Sequence, residues 1–233
     1  MLSLIIPAYN EEKRIVSTLN KIESFLGDRA HEIIVVNDGS TDRTVDVVKG
    51  IPNPNIKVIN NPGNKGKGYA VKNGMLHAQG NMLLFSDADL STPIEELNKF
   101  LFFAQKYEVV IGSRAMKKSL IKVHQPIYRE LIGKVFNKLV RLIAVQGIND
   151  TQCGFKLFTK PAAERIFKLQ KLEGFSFDVE ILYLARELGF KIKELPITWI
   201  NDENSKVDSL NDSIKMFVDL LKIRWIHAKT KKI

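Results

Sequence analysis

Apolar and polar positions in the first half of the chain switch repeatedly between a strand period and a helix period. Leu2 to Ile6 reads as a first strand closed by Pro7. Asn10 then stands as a helix N-cap, with Glu11 and Glu12 favouring the positive helix end, and Ile15, Leu19, Ile22 and Leu26 recur at helical spacing until Gly27. Glu32 to Val36 predicts a second strand, Val45 and Val48 a short helix, and Ile56 to Asn60 a third strand. Ala70, Val71, Met75 and Ala78 mark another helix. Met82 to Phe85 is a short apolar run of the kind a fully buried parallel strand shows. Thr92-Pro-Ile-Glu95 has the form of a capping box with proline at the first helical position, ahead of a stripe of Leu97, Phe100, Leu101 and Ala104. Val109 to Ile111 is a further strand. This alternation over residues 1–114 predicts an α/β fold: a mostly parallel sheet with helices on both faces.

The pattern changes after residue 114. Pro126 to about Gln146 predicts a long helix with Ile127, Leu131, Val135, Leu139 and Leu142 on one side and Lys134, Lys138 and Arg141 on another. Cys153 to Phe158 reads as a strand, Phe177 to Leu188 as a helix, and Ile192 to Trp199 as a strand that Pro196 marks as an edge. Asn211 to Ala228 closes the chain as an amphipathic helix with a basic tail. Without repeats, low-complexity tracts or a clear linker, residues 1–233 read as one domain with two halves, 1–114 and 115–233.

Composition narrows the class. Hydrophobic content of 45% and charged content of 26% are ordinary for a globular domain, and no apolar run approaches the length of a membrane span. The start, Met-Leu-Ser-Leu-Ile-Ile-Pro, has no basic n-region and reads as a strand, not a signal peptide. Cys153 is the sole cysteine, which excludes an internal disulfide and fits a reducing, cytoplasmic compartment. The four histidines lack metal-ligand spacing, so a zinc site is not expected. The net charge of +9 is concentrated in two places. Residues 114–145 carry Arg114, Lys117, Lys118, Lys122, Arg129, Lys134, Lys138 and Arg141 against Glu130 alone. Residues 212–233 carry Lys215, Lys222, Arg224, Lys229, Lys231 and Lys232 against Asp212 and Asp219. Such clustering points to an anionic substrate or surface met at particular places. A basic nucleic-acid-binding protein would share the charge, but no helix-turn-helix, zinc-finger or RNA-binding signature is present, so no nucleic-acid partner is expected.

Chemistry concentrates at three strand ends: Pro7-Ala8-Tyr9-Asn10-Glu11, Asp38-Gly39-Ser40 and Asp87-Ala88-Asp89. A parallel sheet brings them out along one edge, where open α/β sheets bind ligands. Side chains alternate along an extended chain, so Asp87 and Asp89 are expected to point the same way at the strand's C-terminal end. Two hard oxygen donors there suit Mg²⁺ or Mn²⁺ on a substrate diphosphate. Asp38 is placed to accept from a base or ribose. Gly66-Lys67-Gly68 lets backbone approach the ligand while lysine balances phosphate charge.

Ile5-Ile-Pro-Ala-Tyr-Asn-Glu11, Val35-Val-Asn-Asp-Gly-Ser-Thr-Asp42, Asn64-Lys-Gly-Lys-Gly68 and Asp87-Ala-Asp89 together resemble the family 2 glycosyltransferases of the GT-A fold. Gly112-Ser-Arg114, Asp150-Thr-Gln-Cys-Gly-Phe-Lys156, Phe177-Asp-Val-Glu180 and Ser205-Lys-Val207 further resemble the polyprenyl-phosphate sugar synthases, the dolichyl-phosphate β-glucosyltransferases first and the mannosyltransferases next. The resemblance implies a metal-dependent, inverting transfer of a hexose from a nucleotide-sugar, UDP-glucose, to a polyprenyl phosphate. GDP-mannose as donor, or a hydroxyl acceptor, is the alternative. It implies nucleotide-sugar contacts from Pro7, Ala8, Tyr9, Glu11, Val36, Asp38, Gly39, Lys67, Gly68, Asp87, Ala88, Asp89 and Asp150. The metal falls to Asp87 and Asp89, and the acceptor phosphate to Arg114, Arg129 and Lys206, with Asp89, Arg114 and Arg129 as catalytic residues. Ser91 stands where many mannosyltransferase relatives carry glutamine near the metal.

Asp178 and Glu180 flank Val179 on a helix and therefore face different directions. Since a polyprenyl tail stays in the bilayer, the two basic segments are expected to hold the protein at the cytoplasmic membrane face. Phe217, Leu220, Leu221 and Trp225 would enter the headgroup region while Lys222, Arg224 and Lys229 meet anionic lipid. The competing expectation packs those apolar faces on the core or on a second subunit of a homo-oligomer.

Overall fold

A computed structural model of the chain describes residues 1–116, 118–123, 145–200 and 211–228. The helix predicted over 126–146 and the site candidates Arg129 and Lys206 lie outside the described residues.

The chain runs β1 (Leu2–Ala8), α1 (Ile15–Leu26), β2 (His31–Asn37), α2 (Thr44–Lys49), β3 (Ile56–Asn60), α3 (Lys67–His77), β4 (Met82–Ser86), a 3₁₀ turn at Ile94–Glu96, α4 (Leu97–Phe103) and β5 (Val109–Ser113). It continues through β6 (Leu120–Val123), β7 (Phe155–Thr159), α5 (Lys160–Leu169), α6 (Phe177–Glu187), β8 (Ile192–Pro196), β9 (Thr198–Ile200) and α7 (Asn211–Ile226). Seven strands form one sheet in the order β3-β2-β1-β4-β7-β5-β8, and β6 pairs with β9 in a separate ribbon. All pairings in the large sheet are parallel except those of β7, which lies antiparallel between β4 and β5.

Continuous apolar strands bury both faces here. Leu4 and Ile6 point to one side and Ile5 to the other. On the first side Leu19, Ile22, Phe100, Phe155 and Leu195 form a core under α1, α2 and α4. On the second, Val71, Met75, Phe85, Phe158, Phe167 and Leu182 pack beneath α3, α5 and α6, with Leu220 and Ile223 of α7 sealing the end. Helices therefore cover both faces of a mostly parallel sheet, as the alternation predicts.

Several local expectations give way to tertiary contacts. Asn10 has a positive φ of 54° and is no N-cap: its Oδ1 accepts from Thr41 N at 2.8 Å, and α1 begins only at Ile15. The Thr92-Glu95 capping box does not form. Pro93 is extended before a 3₁₀ turn, and Thr92 is buried beside Cys153. The predicted strand over 192–199 is split between β8 and β9, and β8 forms the sheet edge that Pro196 indicated. Helix α5 has no counterpart among the predicted elements.

Candidate active site

The parallel register sets the C-terminal ends of β1 and β2 level, with Ala8 opposite Asn37, and β4 ends on the other flank of β1. The loops beyond them are stitched together. Asp38 N donates to Ala8 O at 2.9 Å, Asn10 N to Ser40 Oγ at 3.0 Å, and Glu11 N to Thr44 Oγ1 at 2.7 Å. Pro7, Ala8, the exposed Tyr9, Glu11, Asp38 and Gly39 thus share one edge. Val36 is at that edge with its side chain fully buried towards Gly74 of α3. Asp38 is buried, and both its oxygens are taken up by the chain: Oδ1 accepts from Asn61 Nδ2 at 2.8 Å and Lys65 N at 3.1 Å, Oδ2 from Gly66 N at 2.8 Å. Its task in the structure is to hold the turn that delivers Lys67. The glycines flanking that lysine make room for the protein's own backbone and not for open solvent. A methyl on Gly66 would lie 2.6 Å from Glu173 O, and one on Gly68 would lie 2.8 Å from Leu172 O.

Asp87 and Asp89 come together by a turn and not by strand alternation. Strand β4 ends at Ser86, Leu90 N donates to Asp87 O at 3.2 Å, and Leu90 takes a positive φ of 48°. Ser91 N, in turn, donates to Asp89 Oδ1 at 2.8 Å. Lys67 Nζ sits 2.6 Å from Asp87 Oδ1. The Asp87 carboxylate also packs directly against Gly154: a methyl there would stand 1.9 Å from Oδ2. Gly154 is a positioning residue that sequence reasoning missed, since Gln152-Cys-Gly-Phe155 signals only a tight strand start.

Electrostatics follow from this crowding. Burial, then the neighbouring charge of Asp87, pushes the Asp89 carboxyl above the usual range. Burial works against the Lys67 ammonium, but Asp87, Asp178 and Asp89 outweigh it and hold its pKa above the ordinary lysine value. Two ionised carboxylates on one turn attract a cation, and their hard oxygens suit Mg²⁺ or Mn²⁺. Among the described residues no third carboxylate, histidine or cysteine completes a protein-only site, so remaining positions would go to substrate oxygens and water.

Arg114 follows β5 and is locked to Asp150. Its Nε is 2.7 Å from Oδ2, its Nη2 donates to Oδ1 at 2.9 Å, and its backbone N–H adds a bond of 3.0 Å to Oδ2. Trp199 lies under the guanidinium, 5.5 Å from ring centroid to Cζ. Burial alone would raise the Asp150 carboxyl, but Arg114 overrides it and holds Asp150 below the usual carboxylate range. Glu194 of β8 fixes the turn by accepting from Asp150 N at 2.8 Å. Asp150 therefore aims Arg114. Cys153 beside it is buried, its thiol pushed up to about 12, first by burial and then by Asp150.

Asp178 and Glu180 do face apart. Asp178 pairs with the fully buried Lys156, on the side whose charge reaches Lys67. Glu180 faces α7 and the loop before α6, accepting from Lys171 N and Leu172 N at 2.8 Å each and meeting His227 Nε2 at 2.6 Å. A surface groove along α1, lined by Lys13, Ser17, Lys21 and Glu95 among others, shares no residue with this edge.

The chain matches the model of glycosyl transferase family 2 over residues 3–167. It is 40% identical over 236 residues to a dolichyl-phosphate beta-glucosyltransferase of Trichomonas vaginalis, covering 95% of this chain and 72% of that protein. The dolichyl-phosphate beta-glucosyltransferase of Homo sapiens is 36% identical over 257 residues, covering 100% of this chain and 79% of that one. Among solved structures, glucosyl-3-phosphoglycerate synthase from Mycobacterium tuberculosis, in complex with Mn²⁺, uridine-diphosphate and glucosyl-3-phosphoglycerate, superposes with a TM-score of 0.69 at 20% identity. That match covers 96% of this chain and 79% of the other, and it speaks to the fold alone. With a family match across residues 3–167 and relatives aligned over nearly its whole length, the chain belongs to glycosyl transferase family 2 and is a glycosyltransferase.

Proposed function

We propose that the protein transfers glucose from UDP-glucose to a polyprenyl phosphate of the dolichyl type, with a divalent cation held by Asp87 and Asp89. The sugar and the acceptor follow the relatives' names, and the uridine nucleotide follows the solved neighbour that binds uridine-diphosphate. The observation that carries the reading is that Asp150, Asp178 and Glu180, the acids the later half of the chain brings near the site, are already committed. Asp150 is bound to Arg114, Asp178 to Lys156, and Glu180 to His227 and two backbone N–H groups. Among the described residues none of these stands ready as a general base, which a hydroxyl acceptor would need. A phosphate monoester does not need one, because its second pKa of about 6 leaves it anionic at neutral pH.

In the reaction, a phosphate oxygen forms a bond to the anomeric carbon as the bond from that carbon to the UDP oxygen breaks. The leaving group is UDP, and the carbon inverts. Bound at Asp87 and Asp89, a divalent cation supplies charge stabilisation to the leaving diphosphate. Tyr9, Glu11 and Asp38 lie where the nucleotide meets the sheet edge. Arg114, aimed by Asp150, presents fixed positive charge for the acceptor phosphate, and Arg129 and Lys206 are proposed for the same anion. The test is incubation of the full chain with labelled UDP-glucose or GDP-mannose and a polyprenyl phosphate, with and without chelator, followed by lipid extraction. Label in the lipid from UDP-glucose, lost on chelation, is expected. Label from GDP-mannose alone, or chelator-insensitive transfer, overturns the reading.

Peripheral attachment at the cytoplasmic membrane face belongs to the same proposal. It is supported by Val218, Leu221 and Trp225, which lie along one side of α7 with exposures of 44%, 55% and 81%, beside exposed Lys222 and Arg224. Leu220, expected on that side, is instead fully buried in the core with Ile223, so the outward stripe is narrower than the periodicity suggests. Aromatic and aliphatic side chains flanked by cations enter a lipid headgroup region favourably. Flotation with anionic liposomes is expected to carry the protein upward at low salt, and Trp225→Glu is expected to reduce the floated fraction. Equal flotation of parent and variant, or none with any lipid, counts against attachment by this face.

A further inference from the structure

We infer that Lys67 is the resident counter-ion of the metal site: in the ligand-free protein its ammonium holds the Asp87 oxygen that a divalent cation requires, and it transfers to the donor diphosphate when ion and nucleotide bind together. The inference rests on the reading of Asp87 and Asp89 as the metal ligands.

Two Lys–Asp pairs lie close together and differ in one respect. Lys156 and Asp178 are sealed in the core, with side-chain exposures of 0% and 4%. Lys67 and Asp87 are open, at 21% and 34%, on the sheet edge where the substrate must arrive. The first pair is built to stay closed and the second can exchange partners.

Asp87 has little freedom to serve both cations. Its carboxylate rests on Gly154, and its backbone N–H donates to Gly154 O at 3.2 Å. An ammonium 2.6 Å from Oδ1 therefore occupies the oxygen a metal needs, and two cations on one carboxylate oxygen repel.

Lys67, by contrast, joins a fixed backbone to a long stem with rotatable bonds. Gly66 N is held by Asp38 Oδ2 at 2.8 Å, Tyr69 N donates to Glu173 O at 3.1 Å, and Gln170 Nε2 donates to Gly68 O at 2.9 Å. Only the four-carbon stem swings. A lysine as the first residue of the 11-residue α3 also opposes the helix dipole, so its charge does nothing for the helix that bears it. An anionic diphosphate at that helix start gives the released ammonium a new partner.

The consequence is opposite in sign for the two ligands. Mn²⁺ alone must displace the lysine, whereas with UDP present the lysine has somewhere to go. The test is titration of the full chain with Mn²⁺ followed by electron paramagnetic resonance, without and with UDP, together with calorimetric UDP binding at saturating Mn²⁺. Lys67→Met is expected to bind Mn²⁺ alone roughly 5- to 20-fold more tightly than the parent, and to bind UDP more weakly by a similar factor, the usual scale of coupling between sites. Lys67→Arg, which keeps the charge, is expected to stay near the parent in Mn²⁺ affinity. A variant weakened by a damaged fold would lose affinity for both ligands. Unchanged or weaker Mn²⁺ binding by Lys67→Met overturns the counter-ion role while leaving the metal site standing. If neither parent nor variant binds Mn²⁺ even with UDP, the metal reading itself falls and the inference with it.

Discussion

Asp89→Asn is expected to reduce glucosyl transfer by at least roughly 100-fold while leaving the protein as stable as the parent or more so, the scale of loss when a charge-stabilising group is removed from a transition state. The two effects have one origin. Asp89 shares a tight turn with Asp87, and burial and that neighbouring charge raise its pKa in the folded state. A carboxyl raised on folding is disfavoured as an anion, so its ionisation costs stability as pH rises through the folded value. At neutral pH the amide removes that cost while its Oδ1 can still accept from Ser91 N. The stabilisation of the variant over the parent should therefore shrink as pH falls into the carboxylate range, where Asp89 is protonated anyway. Transfer rates at saturating Mn²⁺ and thermal melts from pH 4 to 8 check both halves. Transfer within a few-fold of the parent would remove Asp89 from the metal site, and a large loss of melting temperature would show the carboxylate to be structural.

Lys156→Ala is expected to destabilise the protein by about 3–5 kcal/mol, the loss seen when one partner of a buried ion pair is removed. Lys156 has no exposed surface, donates to Cys153 O and to Asp178, and lies 5.1 Å from the centre of the Phe85 ring. Burial already pushes the Asp178 carboxyl up despite Lys156. Without the lysine it must fold neutral, so the variant should regain stability as pH falls, the sign expected for a carboxyl whose folded pKa is raised. The doubly apolar Lys156→Met, Asp178→Leu variant is expected to recover most of the loss, because an apolar pair can replace a buried ion pair at little cost. Its transfer activity should still be low, since the Asp178 charge that helps set Lys67 is gone. Urea unfolding of the parent, Lys156→Met, Asp178→Leu and the double variant measures the coupling directly. A loss below about 1 kcal/mol for Lys156→Ala would mean that water or a rearranged neighbour reaches Asp178, contrary to its burial.

The sequence by itself determined the layered sheet and the edge where its chemistry gathers. Strands such as Ile33–Val36 and Leu83–Phe85 are apolar on both faces, and only a sheet covered on both sides can bury them, so the α/β class followed from local pattern. Polar groups after three such strands had to emerge together once the strands were parallel, which is why Tyr9, Asp38 and the Asp87–Asp89 pair were legible as sharing one edge. The tertiary structure decided what no local pattern encodes. That β7 would slip antiparallel between β4 and β5 depends on a contact across some seventy positions, and strand periodicity is the same in either direction. This insertion sets Gly154 against Asp87 and carries Lys156 into the core, so a residue read as a strand start became the support of the Asp87–Asp89 turn. Asp150, Asp178 and Glu180 looked alike as acids in a polar context. Their separate tasks came from which cation or backbone N–H lay opposite, and partners that far apart in sequence are chosen by packing. The same holds for α7: its apolar period was plain, but which residues of it face the core was decided by helix rotation against α6, leaving Leu220 inside and Trp225 in the open.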